Sequence, residues 1–307
     1  MAFWKRVICP TSICGPASAT AGTAKVPYGW SSGDIKANGI TLHYYRTGNG
    51  SLPPLVLSHG FTDNGLCWTD LAGALEKKYD VIMYDLRGHG LSDAPDTGYS
   101  LQDNVSDMVG LINALKLEHP VIIGHSLGGC ICAALAAQYP DIPRKVVLID
   151  PPGLTKPLSG NTEDSNRMES WFKKDMDYLK GLSREELLKE AAKRHPAISK
   201  EAQARWADAK MQMKPQVIES VMNLPPLMLY LPKITAPTLI LKADANDNTR
   251  KMEKDTVSKL PVIKIIHVKG AGHLIHLERP DETLAFLNDF LGDSKELKEQ
   301  GVKKKNR

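Results

Sequence analysis

The sequence predicts an α/β fold: a mostly parallel, doubly wound sheet interrupted by a helical insertion. Three observations carry that expectation. Short apolar runs alternate with stretches at helical spacing, the pattern of a parallel sheet covered on both faces. From 153 to 234 the chain shows no strand-like run, and then the alternation resumes. Ahead of that insertion lies Val121-Ile122-Ile123-Gly124-His125-Ser126-Leu127-Gly128-Gly129. A β-branched run there enters a glycine-bounded turn and leaves into the small-residue helix of 130–137.

The elements follow in order. Asp34-Ile35-Lys36-Ala37 and Ile40-Thr41-Leu42-His43-Tyr44-Tyr45 flank Asn38-Gly39, a hairpin signal. Leu55-Val56-Leu57 is a short buried strand, and a helix is expected over 68–77. Val81-Ile82-Met83-Tyr84 is the next strand, ending in Asp85-Leu86-Arg87-Gly88-His89-Gly90. Ser100 with Asp103 starts a helix whose apolar positions are Val105, Met108, Ile112 and Leu115. Lys145-Val146-Val147-Leu148-Ile149-Asp150 is another strand, closed by Pro151-Pro152. Inside the insertion, helices are expected near 168–180, 183–194 and 200–213, the second opened by the capping box Ser183-Arg184-Glu185-Glu186. Strands at 237–242 and 262–268 then flank a helix over 249–260. A last helix begins at Pro280 and stops at Gly292.

Composition narrows the class. The 307 residues suit one large α/β domain or two small ones, and 42% apolar with 24% charged residues is usual for a globular chain. The net charge of +4 is mild, and Lys303-Lys304-Lys305-Asn306-Arg307 supplies much of it. That run reads as a solvated tail over 295–307, so no nucleic-acid partner is expected. No apolar run reaches the length of a membrane span. The five cysteines, Cys9, Cys14, Cys67, Cys130 and Cys132, are odd in number and lack metal-ligand spacing. They suit a reducing, cytoplasmic setting with no metal. Near the N-terminus, Lys5-Arg6 precedes a signal-like stretch, but Pro10, Thr11 and Ser12 interrupt its apolar core. Residues 1–30 are expected to form a disordered extension. The expected organisation is a core of 31–152 and 235–294 with a lid of 153–234.

Ser126 is the candidate nucleophile. Its hydroxyl must stand clear of the sheet on a sharp turn, and a non-glycine residue held there costs roughly 1–3 kcal/mol. Gly124 and Gly128 leave room for that turn, and Gly129 lets the helix pack closely. The helix then aims its positive end where an oxyanion would form. A serine hydroxyl needs a base beside it, and an imidazole suits. Among nine histidines, His273 sits just past the last strand in a glycine-flanked loop. His276, three residues later, reads as structural.

Taken together, Ser58-His59-Gly60-Phe61, Asp85-Leu86-Arg87-Gly88-His89-Gly90, Gly124-His125-Ser126-Leu127-Gly128-Gly129 and Gly270-Ala271-Gly272-His273 resemble the α/β-hydrolase superfamily in content and order. The resemblance spans roughly 35–291. It implies an α/β-hydrolase fold with a helical lid, Ser126 and His273 in catalysis, and an oxyanion hole from the backbone N–H groups of Phe61 and Leu127. It also implies that the Asp85–Gly90 segment is a structural brace.

The acid departs from the family pattern. The usual slot follows the strand after the lid, where this chain reads Ala243-Asp244-Ala245-Asn246-Asp247 and the matching residue is Asn246. An amide would stabilise an imidazolium poorly. Asp244, Asp247 and Asp150 at the end of the strand before the lid all remain open.

The insertion is expected to roof the nucleophile and set substrate shape. Trp171, Phe172, Met176, Trp206, Met211, Met213, Met222, Leu227 and Met228 offer an apolar lining, with Lys and Glu of the same helices on the solvated face. The expected activity is cofactor-independent hydrolysis of a small carboxylic ester or lactone through an acyl-enzyme. Carbon–carbon bond hydrolysis or perhydrolysis by the same residues, and a small-molecule receptor without turnover, are the alternatives. Oligomeric state is not legible.

Overall fold

The computed structural model describes residues 26–155, 163–222 and 224–292, so residues 1–25, the 295–307 tail, Cys9 and Cys14 lie outside them. The expected 1–30 extension is too long: Val26 and Trp30 pack on the core, and Trp30 Nε1 donates to Glu76 at 2.7 Å. Eight strands form one sheet in the order β1-β2-β4-β3-β5-β6-β7-β8. They are β1 Ser31–Ala37, β2 Ile40–Arg46, β3 Pro54–Ser58, β4 Asp80–Tyr84, β5 Val121–His125, β6 Lys145–Ile149, β7 Thr238–Lys242 and β8 Ile263–His267. β1 runs antiparallel to β2, and β2 antiparallel to β4. Every other pairing is parallel. The Asn38-Gly39 turn joins β1 to β2 with both residues at positive φ, 47° and 80°, as a two-residue hairpin of this twist requires.

The central strands are buried on both faces, which is why their sequences read as continuous apolar runs. On one face Val56, Ile82, Ile122, Val146, Leu148 and Ile240 pack with α2 (Leu101–Ala114) and α3 (Leu127–Gln138). On the other, Leu55, Leu57, Val81, Met83, Ile123, Val147, Leu239 and Leu241 join α1 (Thr69–Leu75) and the C-terminal helix Pro280–Leu291. A fully buried Leu or Ile contributes roughly 1.5–3 kcal/mol, so each strand is held from both sides. Helix α3 is buried from Leu127 to Ala136. Its alanines and cysteines let it lie tight on β5 and β6, and Cys130 and Cys132 are free thiols within it.

Helices of the insertion are α4 (Glu163–Lys180), α5 (Arg184–Arg194), α6 (Lys200–Gln212) and α7 (Glu219–Met222). Ser183 caps α5 with the expected reciprocal bonds to Glu186. After β7 comes α8 (Asp247–Val257), and after β8 the single turn α9 (Ile275–Glu278) precedes α10 (Pro280–Leu291). The helix expected over 249–260 thus begins two residues earlier, because the Asn246 side chain caps it through the Thr249 amide at 2.9 Å. Among the described residues, no helix is long and apolar enough to cross a membrane.

Candidate active site

The chain leaving the C-terminal ends of β3, β5, β6 and β8 lines one cavity beneath the helical insertion, where open parallel sheets place their ligand crevices. Ser126 lies between β5 and α3 at φ 51°, ψ −115°. The turn leaves no space for side chains beside it. A Cβ on Gly124 would lie 2.1 Å from the Gly128 carbonyl oxygen, and one on Gly128 would lie 2.2 Å from that of Ser58. Leu127 is the first residue of α3, so its N–H has no helical carbonyl one turn earlier, and the residue lines the cavity. Thr62 (φ 67°) and Asp150 (φ 43°) also adopt left-handed backbone around this site, and such strain gathers where geometry is functional.

His273 follows β8. The Glu278 carboxylate accepts from the amides of Gly272 at 2.6 Å and Leu274 at 3.3 Å, bracketing the histidine between two fixed points. Its Nδ1 meets Asp150 Oδ2 at 2.6 Å. The Asp150 side chain is 11% exposed, the His273 side chain 53%. Oδ1 of Asp150 accepts from Lys242 Nζ at 2.7 Å and from the Ala243 amide at 3.2 Å. Burial acts to raise the Asp150 carboxyl. The hydrogen bond from His273 and the Lys242 charge outweigh it and hold the group well below the usual carboxylate range.

Asp244 does not meet His273. Arg250 Nη2 binds it, and its oxygens accept from the amides of Ala245 at 2.8 Å and Gly270 at 2.7 Å. It braces the loop between β8 and His273 through the Gly270 amide. Asn246 is a helix cap, and Asp247 opens α8.

His125 and His276 hold the floor. His125 Nε2 donates to the His273 carbonyl at 2.9 Å, its ring 4.8 Å from that of His276. His276 stacks on Trp68 at 4.3 Å, and its two nitrogens have no partner. Burial, with His273 nearby, pushes its imidazole down to about 3. The Asp85–Gly90 turn is a brace: Asp85 accepts from the amides of Gly65 and Leu91, and Arg87 pairs with buried Asp107.

Ser126, Leu127, His273 and Phe61 line a common cavity of about 420 Å³. Trp171, Phe172, Met176, Leu179 and Trp206 from the lid complete its apolar wall. Met211 is exposed instead. The lid's charged residues do not all face solvent as the sequence suggested. Lys210 is 4% exposed and lines the cavity with Asp175 and Arg194. Lys210 Nζ donates to the Thr62 carbonyl at 2.8 Å and lies 3.8 Å from Asp63. Arg194 pairs with Asp175 at 2.8 Å and Glu190 at 2.7 Å. Sequence reasoning missed these residues and Lys242. For Lys242 a signal existed, a lone charge closing the apolar run Leu239-Ile240-Leu241. For Lys210 there was none, since a helical lysine is usually solvated.

The alpha/beta hydrolase family matches residues 55–286. A 2-(acetamidomethylene)succinate hydrolase of Mesorhizobium japonicum is 29% identical over 264 residues, 82% of this chain and 92% of that protein. An N-formylmaleamate deformylase of Pseudomonas putida is 26% identical over 272 residues, 84% of this chain and 96% of that one. The crystal structure of an E-2-(acetamidomethylene)succinate hydrolase superposes with a TM-score of 0.72 at 25% identity, covering 86% of this chain and 99% of that one.

Proposed function

The chain belongs to the alpha/beta hydrolase family, and we propose that it hydrolyses a small carboxylic ester or lactone through an acyl-enzyme on Ser126, without a cofactor. The observation that carries this reading is the 2.6 Å bond from His273 to Asp150, in a histidine that borders one cavity with an elbow serine. Nδ1 of His273 is committed to the carboxylate, which leaves Nε2 for proton transfer. Ser126 Oγ attacks the carbonyl carbon as His273 takes its proton. The N–H groups of Phe61 and Leu127 receive the oxyanion, each worth about 2.7–4 kcal/mol in such sites. Collapse breaks the acyl–oxygen bond, and His273 returns the proton to the leaving alkoxide. Water then repeats the attack on the acyl-enzyme and regenerates Ser126.

Charge supports an uncharged substrate. Lys210 and Arg194 are the lid cations on the cavity, and each stands beside a carboxylate, Asp63 and Asp175. The names of the two relatives favour a second reading, an N-acylated compound that carries carboxylates, cleaved by the same residues.

A panel of p-nitrophenyl esters, lactones, diketones and N-acyl dicarboxylates separates the readings, tested on wild type and Ser126→Ala. Short-chain ester turnover is expected, lost by a factor of 10⁴ or more in the variant, on the order of nucleophile removal elsewhere. A fluorophosphonate is expected to label Ser126 alone. Turnover of N-acyl dicarboxylates without esters would move the assignment to the second reading. Labelling that persists in Ser126→Ala would sink both.

A further inference from the structure

A chain of buried ionisable groups runs behind the site. From His273 it passes through Asp150 at 2.6 Å to Lys242 Nζ at 2.7 Å. Lys242 Nζ lies 3.9 Å from Glu253 Oε1, and Glu253 Oε2 meets His267 Nε2 at 2.6 Å. Lys242, Glu253 and His267 are 13%, 8% and 3% exposed at their side chains. Lys242 also donates to the Pro151 carbonyl at 3.1 Å. Its ammonium is therefore anchored on the loop that carries Asp150. It occupies the end of β7, one strand over from the acid.

We infer that Lys242 is a positioning residue, backed by Glu253, that fixes the Asp150 carboxylate and sets the pH range in which His273 works as a base. The inference rests on the proposed role of His273. Two effects follow from the geometry. Lys242 and the Ala243 amide both hold Oδ1, so Oδ2 alone is left to face the imidazole. The ammonium also offsets the negative charge that would otherwise stabilise an imidazolium. Lys242 thus favours neutral His273, and Glu253 weakens Lys242 from behind.

The other groups around His273 do not supply this effect. His125 from β5 and His276 from α9 are buried with their pKa values pushed down, so they are neutral near pH 7. Glu278 of α9 spends its oxygens on the amides either side of His273. In α3, Cys130 is a buried thiol raised to about 12. Across the cavity, Lys210 and Arg194 have Asp63 and Asp175 beside them. His267 of β8 reaches His273 only through Glu253 and Lys242.

The test is an NMR titration of the His273 imidazole, assigned by its loss in His273→Gln, in wild type, Lys242→Met, Lys242→Arg and Glu253→Gln. Circular dichroism confirms that each variant is folded. Removing the ammonium is expected to move the His273 midpoint up by about one pH unit, the size of a nearby charge effect. Lys242→Arg keeps the charge and is expected to return it near wild type. Glu253→Gln, which frees the full charge of Lys242, is expected to move it down. The acid limb of kcat/KM for a p-nitrophenyl ester should shift in the same directions. An unmoved or lowered midpoint in folded Lys242→Met would overturn the inference. The titration needs no turnover. Absent esterase activity with a shifted midpoint would therefore count against the proposed function alone.

Discussion

The two walls of the cavity are built by different rules. The sheet wall presents Ser126 and His273 from tight turns, with Asp150 behind the histidine. The lid wall presents Trp171, Phe172, Trp206, Arg194 and Lys210 from helix faces. On the sheet wall the backbone itself is constrained, and the constraint is written locally as glycines. On the lid wall nothing local separates a cavity residue from a solvated one. Lys210 sits on a helix among alanines, glutamate and arginine, and only the docking of α6 onto the 60–65 loop turns it inward. The proposed chemistry thus falls on the sheet wall, and the apolar shape on the helical one.

The sharpest way to break that contrast is at the acid. Asp150→Asn keeps the shape of the side chain but cannot stabilise an imidazolium. It is expected to lower kcat by about 10⁴, as the equivalent change does in a Ser-His-Asp triad. Asp244→Asn, which loosens only a loop brace, is expected to cost less than tenfold. Steady-state kinetics on one p-nitrophenyl ester, with the melting temperature as a folding control, decides it. Equal losses would mean that the carboxylate at His273 is not special.

This pair of variants also marks what the sequence could and could not tell. Ser126 and His273 were readable because a strained elbow and a glycine-flanked loop leave residue-level signatures. The choice between Asp150 and Asp244 was not. Both follow neighbouring strands, and only the folded loops bring Asp150 to the imidazole at 2.6 Å while Asp244 turns to Arg250 and the Gly270 amide. The alternation of strands and helices, the hairpin and the capping box were legible from periodicity and turn chemistry. The inward turn of Lys210 was not, because tertiary docking decides it.

A smaller effect is expected from the lid wall. Lys210→Met removes the donor to the Thr62 carbonyl and leaves Asp63, itself buried, without its cation. Leaving such groups unpaired costs roughly 1–3 kcal/mol. The Thr62 loop follows Phe61, so part of that cost should appear as misplacement of the proposed oxyanion donor. The expected result is a ten- to hundred-fold loss in kcat/KM, carried mainly by kcat, and partial recovery in Lys210→Met/Asp63→Asn. A loss as deep as that of Asp150→Asn would erase the distinction between the walls. No change in kcat would reduce the lid to a roof.

The smallest expected effect concerns acid stability, and it too differs between the walls. Beneath the sheet wall His276 is fully enclosed, with Trp68 on one side and no partner for either nitrogen. On the lid wall His195 is only half-buried, and burial lowers it to a lesser degree. Burial holds folded His276 at about 3, while an unfolded histidine titrates near 6.5. Between those values the unfolded chain binds a proton that the folded one refuses. The stability linked to His276 is therefore complete above about pH 6.5 and falls as the pH drops toward 3, by about 1.4 kcal/mol per unit. Phenylalanine has a similar shape and can keep the contact with Trp68 but binds no proton. Urea unfolding of His276→Phe should therefore lose about 2 kcal/mol less than wild type between pH 6.5 and pH 5. His59, His89 and His125 are also lowered by burial, so some acid sensitivity should remain. The same measurement on His195→Phe should show a smaller change, because that imidazole can take up its proton with less disruption. Identical pH slopes for wild type and His276→Phe would mean that the folded protein accommodates a charged His276, and that the sheet wall is less rigid than its packing implies.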